Sequence, residues 1–360
     1  MTGILRHRSF VFLFCGVLTG ASVACWAAES ATLQPGDPVD YGKLAFYPER
    51  WRQHHVSTRL VPWEGQRVVL LTAGSEFDRE VMARFLQRLD GGWKTYAALV
   101  GSSPQPLKQI NGKPTIAALP RADLSCGYGC GYIGAAGIEV AGFYDHDYPL
   151  VQNDRDAFAH YYFYEMGRNY YTFGERHSLF ITGYAVFMRI VCTDVLGCRD
   201  PDRATRRTIE QAEQLYADSG MGFLEAFTTL GGLDEKTPRL TRTDGRPVQP
   251  SDQPVIYASA MLKLRRDCGG EPWVKRFFAE LAKCPQVKPA TPEDALQQCY
   301  SWLVAASCAA RKDLSGTFVD RWRLPLAKET RQALLTVRWE DPTTTASVVL
   351  QDVPATFAPR

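Results

Sequence analysis

The sequence has no excess of charge of either sign, and this excludes partners that are recognised by strong charge. Its 41 Lys and Arg residues are balanced by 39 Asp and Glu residues. The first 27 residues hold two of the arginines and no acid, so the rest of the chain carries 39 residues of each sign. A balanced chain lacks the electrostatic attraction that supports nucleic-acid binding. We therefore expect no nucleic-acid partner.

Long apolar runs are also scarce, and the one present lies near the N-terminus. Ser9 to Ala24 is uncharged and mostly apolar, follows two arginines and precedes small residues. This pattern is typical of a secretory signal over residues 1–27, and the run is short for a membrane span. It predicts a secreted or periplasmic protein without a membrane span. Ser22 stands where Leu is usual in a lipid-attachment motif, which disfavours a lipid anchor on Cys25.

The sequence contains no CxxC pair, which argues against a zinc knuckle. Eight cysteines remain beyond the signal, and an even number in an oxidising compartment predicts disulfides. Close spacing favours Cys126–Cys130 and Cys192–Cys198 as local bridges, and the other four are expected to pair among themselves. The eight residues are Cys126, Cys130, Cys192, Cys198, Cys268, Cys284, Cys299 and Cys308.

Two common catalytic motifs are missing as well. No GxSxG occurs, so a serine nucleophile on an elbow turn is unsupported. The glycine-rich stretch from Cys126 to Tyr144 lacks the GK[ST] ending of a phosphate loop. Glycines at this density exclude a helix and predict a loop or an edge strand. Such an edge also allows a substrate backbone to approach and pair.

The apolar pattern along the chain predicts an α+β fold, with a mixed β-sheet in the first half and helices in the second. Residues 28–58 are polar and contain proline, which predicts an extended N-terminal arm. An α/β subdomain is expected at 59–153 and a helical subdomain at 154–326. The tail at 327–360 is rich in Thr, Pro and Asp and is expected to be partly disordered.

Two consecutive predicted helices carry the motif that bears on function. The first, Asp154 to Tyr171, contains the stretch YEMGR at 164–168, and the second, Leu179 to Val195, contains TGYA at 182–185. Zinc peptidases use H-E-x-x-H, in which two His on one helix face bind the metal and the Glu is the general base. Here the catalytic Glu position is kept as Glu165.

The order of elements from about 67 to 326, together with these two helices, resembles the gluzincin superfamily of zinc metallopeptidases. Within it, the likeness is to secreted peptidases related to plant basic secretory proteins and to enhancin-type peptidases. The resemblance implies a zincin-like fold. It also implies that Tyr164, Arg168 and Thr182 occupy the three zinc-ligand positions around Glu165. None of these three side chains is the His or Glu that binds zinc at its position in the family. The resemblance therefore implies no zinc cofactor and no metal-activated water.

From this we expect a pseudopeptidase that binds a peptide, protein or glycan in the cleft of the former active site. Arg168 either pairs with Glu165 or presents its charge to a ligand carboxylate or sulfate. Tyr184, His160 and His177 are further candidate binding residues.

Two alternatives remain open. The first is an active hydrolase, with zinc held by atypical ligands or with a metal-free mechanism that uses Glu165 as general base. A relocated metal site would use His160, Tyr164, Glu165 and His177. The second is an envelope-assembly or inhibitor-binding module, which predicts neither a metal nor a deep cleft.

Overall fold

A computed structural model describes residues 33–173, 179–227, 252–286 and 289–358. Over these ranges the chain forms a mixed sheet with flanking helices, followed by a helical region, which confirms the α+β class. The predicted signal at 1–27 and the candidate residue His177 lie outside the described residues.

The strands within these ranges are β1 (Val39–Asp40), β2 (Arg59–Glu64), β3 (Val69–Thr72), β4 (Gln109–Ile110), β5 (Lys113–Leu119), β6 (Gly129–Gly131) and β7 (Ile138–Ala141). The α-helices are α1 (Pro48–Gln53), α2 (Arg79–Val100), α3 (Tyr148–Asn153), α4 (Tyr161–Tyr170), α5 (Leu179–Val195), α6 (Arg203–Asp218), α7 (Phe223–Phe227), α8 (Asp252–Cys268), α9 (Glu271–Leu281), α10 (Pro292–Ala310), α11 (Lys328–Leu334) and α12 (Ala346–Asp352).

The sheet has the strand order β1-β2-β3-β5-β7-β6, and β4 pairs with β5 outside this path. The central pairs β3–β5 and β5–β7 are parallel, whereas β6 runs antiparallel to β7. Every residue of β3 and β7 is buried, as expected for central strands covered on both faces. The glycine-rich stretch therefore supplies the last strand at one edge of the sheet.

Residues 28–58 do not form the predicted extended arm where the structure describes them. They contain β1, a 3-10 helix at Tyr41–Lys43 and α1, and Trp51 is completely buried. The anchor is the buried carboxylate of Glu139 on β7. It accepts hydrogen bonds from the Tyr41 hydroxyl and the Phe46 amide, each at 2.9 Å. The average composition of this segment is polar and does not indicate the attachment, because only a few of its residues make it.

The predicted disorder of the tail at 327–360 is also corrected by the structure through residue 358. Two helices, α11 and α12, lie in this range, and Leu334, Trp339 and Val349 are buried. The Tyr300 hydroxyl on α10 donates to the Val353 carbonyl at 2.7 Å. A few apolar side chains therefore attach a segment whose average composition is polar.

The first motif helix is shorter than the sequence predicts. It begins at Tyr161 rather than Asp154, because the preceding residues pair with the segment after α5. The Phe158 amide donates to the Arg199 carbonyl at 3.1 Å, and the Arg199 amide donates to the Asp156 carbonyl at 2.7 Å. The second motif helix, α5, has the predicted bounds, and α10 has those that the apolar pattern of the sequence predicts, Pro292–Ala310.

Most of the predicted disulfides are not formed. All eight cysteines lie in described ranges, and only Cys126–Cys130 is bonded. The six free thiols are those of Cys192, Cys198, Cys268, Cys284, Cys299 and Cys308. Five of them are buried and pack as small apolar side chains. Burial raises the pKa of the Cys284 and Cys308 thiols to about 12, so these thiols are neutral and unreactive at physiological pH.

One continuous hydrophobic core joins the sheet half and the helical half. It includes Leu70 on β3, Phe85 on α2, Phe163 on α4 and Trp302 on α10. No described helix combines the length and the apolar character that crossing a membrane requires.

Candidate functional site

The two motif helices, α4 and α5, pack directly against each other at Gly167. A Cβ at this position would lie 2.9 Å from the Ala185 Cα and 2.9 Å from the Tyr96 hydroxyl oxygen. That hydroxyl donates to the Phe163 carbonyl at 2.7 Å and so ties α2 to α4. Only glycine allows this close a crossing, and the crossing places the two motifs side by side.

The glycine-rich edge strand β6 lies against α4. A Cβ on Gly129 would lie 2.8 Å from Glu165 Oε1, and one on Gly131 would lie 2.7 Å from the Glu165 carbonyl oxygen and 3.1 Å from the Arg168 Cβ. Glycine is required at Gly131, where a Cβ would meet the backbone of α4, whereas at Gly129 the Glu165 side chain would have to move. The sequence thus brings a backbone edge onto the part of α4 that carries Glu165 and Arg168.

Glu165 is buried at this junction, with 6% of its surface exposed. Burial raises the pKa of its carboxyl to about 7, although the Arg168 charge and a hydrogen bond from the Gly131 amide both lower it. The Tyr132 amide donates to the Gly137 carbonyl in the β6–β7 ladder, so the alternation of antiparallel pairs points the Gly131 amide away from β7. Glu165 therefore binds the outer edge of β6.

Arg168 does not form the ion pair with Glu165 that the sequence suggests as one possibility. No carboxylate among the described residues lies within 4 Å of its guanidinium, which instead donates to the Tyr164 hydroxyl at 2.6 Å. The guanidinium carbon lies 5.1 Å from the centroid of the Tyr164 ring. Both side chains are half-buried. The two residues at the helical zinc-ligand positions thus contact each other, as i and i+4 neighbours do.

Thr182, at the third ligand position, is half-buried on α5. It lies almost one turn before Ala185, the residue at the helix crossing. Within the described residues it makes no hydrogen bond to Tyr164 or Arg168. The structure therefore brings two of the three positions into contact and places the third on the adjacent helix.

His160 is held outside this group. Its Nδ1 lies 3.0 Å from Asp200 Oδ1, and the two side chains are 16% and 6% exposed. Arg189 on α5 lies near Asp200 and Tyr164, and burial lowers its pKa while both neighbours raise it. In the described part of the chain, no group of three His, Cys, Asp or Glu residues is arranged to hold a metal ion.

Sequence reasoning missed the aromatic residues that extend the site along α4. Tyr161, Tyr164 and Arg168 have i, i+3, i+7 spacing and share one face of the helix. Tyr128, the residue before β6, is 45% exposed, and its ring packs edge-on against Tyr161 with centroids 5.0 Å apart. The helical spacing of Tyr161, Tyr164 and Arg168 could have shown from the sequence that they share one face. We call Tyr128, Tyr161, Tyr164 and Arg168 the α4 face.

Tyr184 lies apart from the α4 face. Its ring packs against Tyr171 and Phe278, with centroids 5.5 and 5.2 Å away, in a pocket formed mainly by helices of the second half. Its place in the TGYA stretch therefore does not bring it into the group around Glu165.

No protein-family model matches this chain, and no curated protein matches it. Two solved structures are similar, described as a functionally unknown conserved protein from Bacillus anthracis str. Ames and a mutant of such a protein. They share 12% and 11% identity, with TM-scores of 0.48 and 0.49, and the similarity covers 82% of this chain. This chain spans 55% of the length of each.

Proposed function

We propose that this protein is an exported, non-catalytic relative of the gluzincins that binds an anionic group of a peptide on the α4 face. The observation that supports the proposal is the hydrogen bond from Arg168 to Tyr164 beside the buried Glu165. In a zinc peptidase of the resembled type these two positions hold imidazoles. A guanidinium is always protonated and has no lone pair for a metal.

The charge of Arg168 is the feature that favours an anionic ligand. Glu165, on which the charge of Arg168 acts, has a pKa of about 7 and is therefore only partly ionised at neutral pH. Arg168 lacks an ion-pair partner among the described residues and stays half-exposed. A half-exposed guanidinium without a carboxylate partner binds carboxylate or sulfate through charge-assisted hydrogen bonds.

The tyrosines beside Arg168 favour a peptide over a small anion. The outer edge of β6 is already in contact with α4 and bonded to Glu165, so a ligand would lie on the α4 face itself. There the three tyrosines offer apolar contact area to peptide side chains. A glycan with an acidic group is the second ligand class to test, because tyrosine rings also pack against sugars.

The test is binding of peptides to the purified protein. A random peptide array, in which half the peptides bear a free carboxylate, should yield peptides that bind wild type. The same peptides should bind the Arg168→Met variant much more weakly. Arg168→Lys should keep part of the affinity, since it retains the charge but not the planar fork. The control Arg79→Met removes an exposed arginine elsewhere and should change nothing.

Peptide binding that survives Arg168→Met would refute the proposal. Selective binding to acidic glycans on a parallel array, with the same dependence on Arg168, would move the ligand class from peptide to glycan.

One observation favours hydrolysis as the second candidate function. A buried carboxyl with a pKa near 7 is suited to act as a general base at neutral pH. Zinc would be needed only under this alternative. We expect no casein hydrolysis by wild type above the rate of Glu165→Gln, measured with added zinc. A rate that depends on Glu165 would establish the hydrolase instead.

A further inference from the structure

A pocket in the helical half is separate from the α4 face and independent of the function proposed for it. It is formed by side chains from α5, α8, α9, α10 and the segment that follows α4. The space that a water molecule can enter is about 40 Å³, and all the empty space of the concavity, open solvent included, is about 590 Å³. The enterable space has room for about three waters, so a larger ligand must lie partly in the open mouth.

Aromatic side chains make up more than half of the described lining. They include Tyr171, Tyr184, Tyr257, Phe278 and Trp302. The Tyr257 and Trp302 rings are 4.9 Å apart and tilted, and Tyr184 and Phe278 meet edge-on at 5.2 Å. A flat ring can add to such an array with offset or edge-on contacts.

None of the described lining residues carries a charge. The polar ones are neutral, among them Gln286, Gln298 and Ser301. A charged ligand would lose its hydration in this pocket without gaining an ion pair. The lining therefore selects a neutral ligand.

Tyr184, one of the lining residues, carries a polar group that is left without a partner. Its side chain is 1% exposed, and its hydroxyl has no hydrogen-bond partner among the described residues. Comparable buried tyrosines are satisfied: Tyr96 donates to the Phe163 carbonyl and Tyr300 to the Val353 carbonyl, both at 2.7 Å. A buried hydroxyl without a partner is uncommon in a folded protein and indicates a missing partner.

We propose that this pocket binds a small neutral aromatic molecule, with a single ring, whose polar substituent forms a hydrogen bond with Tyr184. The enterable space of about 40 Å³ limits the enclosed part of the ligand to the substituent and a few ring atoms. The rest of the ring lies against the aromatic side chains near the mouth.

The proposal is tested by comparing two probes, p-cresol and toluene, which differ by one hydroxyl. Wild type should bind p-cresol about tenfold more tightly than toluene, measured by ligand-observed NMR titration. Tyr184→Phe should remove this preference while raising Tm, because it deletes an unpaired buried hydroxyl. Tyr300→Phe removes a paired hydroxyl, so it should lower Tm and leave the preference unchanged.

A further variant checks the location of the binding site. Gln298→Trp places a large side chain in the pocket and should weaken both probes at least fivefold in protein that circular dichroism shows to be folded. Absence of binding by wild type, equal affinity for the two probes, or a preference that persists in Tyr184→Phe would each overturn the proposal. Undiminished binding to folded Gln298→Trp would show that the probes bind elsewhere and would overturn it as well.

Discussion

Two buried carboxylates lie near opposite sides of β6 and differ in how they are bonded. Glu139 on β7 is fully buried and accepts hydrogen bonds from Tyr41, Phe46 and Ser125. Glu165 on α4 is nearly as buried, but receives one backbone hydrogen bond, from Gly131. Burial raises the pKa of both groups. The first carboxylate holds the fold together, whereas the second retains acceptor capacity at the contact between α4 and β6.

The largest effect expected from this difference is on stability. Glu139→Ala would leave the Tyr41 hydroxyl and the Phe46 amide without their acceptor and should lower the free energy of unfolding by about 3 kcal/mol. Glu165→Gln should stay within about 1 kcal/mol of wild type at neutral pH, because its amide oxygen can still accept the single backbone bond from Gly131. Urea unfolding followed by tryptophan fluorescence gives both values. Equal losses in the two variants would remove the distinction.

The contact between β6 and α4 should have the next largest effect. Gly131→Ala places a Cβ 2.7 Å from the Glu165 carbonyl oxygen, so the strand and the helix must move apart. We expect a loss of about 2 kcal/mol in unfolding free energy, as for other overpacked sites. Gly74→Ala is the matched control, since a Cβ there meets nothing within 4 Å. A neutral Gly131→Ala would show that β6 and α4 are not in this close contact.

The third effect concerns pH. The ordinary pKa of Glu165 is 4.5 and the folded value is about 7, so between these pH values the folded protein binds more protons than the unfolded chain. Stability should therefore fall as pH rises through this window. Glu165→Gln should remove about 2 kcal/mol of the fall between pH 5 and 7.5. Glu139 titrates in both proteins and cancels in the difference. An identical pH dependence in both would contradict the raised pKa.

The sequence predicts the bounds of some helices correctly because the residues that begin and end them are close in the chain. For α10, Thr291 and Asp294 form a capping box and Pro292 occupies the first turn, and the predicted bounds are correct. For α4, Asp154 looks like a cap, but pairing with Arg199, more than 40 residues away, keeps the next residues out of the helix. Tertiary contacts outweigh local propensity there.

The site shows the same limit. The sequence suggests Glu165 or a ligand as the partner of Arg168, whereas the structure pairs Arg168 with Tyr164, its i−4 neighbour on α4. The role of Glu139 was not predictable, because Tyr41 and Phe46 precede it by 98 and 93 residues. The disulfide predictions failed beyond Cys126–Cys130 because an even count says nothing about the geometry that a bridge requires.

The smallest effect concerns the residues around Glu165 and tests the gluzincin resemblance directly. The triple change Tyr164→His, Arg168→His and Thr182→Glu would install a His-His-Glu donor set next to Glu165. It also removes the Arg168 cation, which repels a metal ion. Tyr164 and Arg168 already touch, and Thr182 lies on the packed neighbouring helix. Groups that orient the new imidazoles are not provided, so we expect a gain of only about tenfold in zinc affinity over the parent.

Competition with a chelating dye measures this affinity. The single Arg168→His variant is the control, and it should gain little, because one ligand gives no chelate. Since Thr182 makes no hydrogen bond to Tyr164 or Arg168, the third ligand decides the outcome. A folded triple variant that binds zinc no better than the control would show that the three positions do not converge. The residues around Glu165 would then not correspond to a zinc site. The loss of a metal could no longer explain why the Glu165 carboxylate accepts only one hydrogen bond.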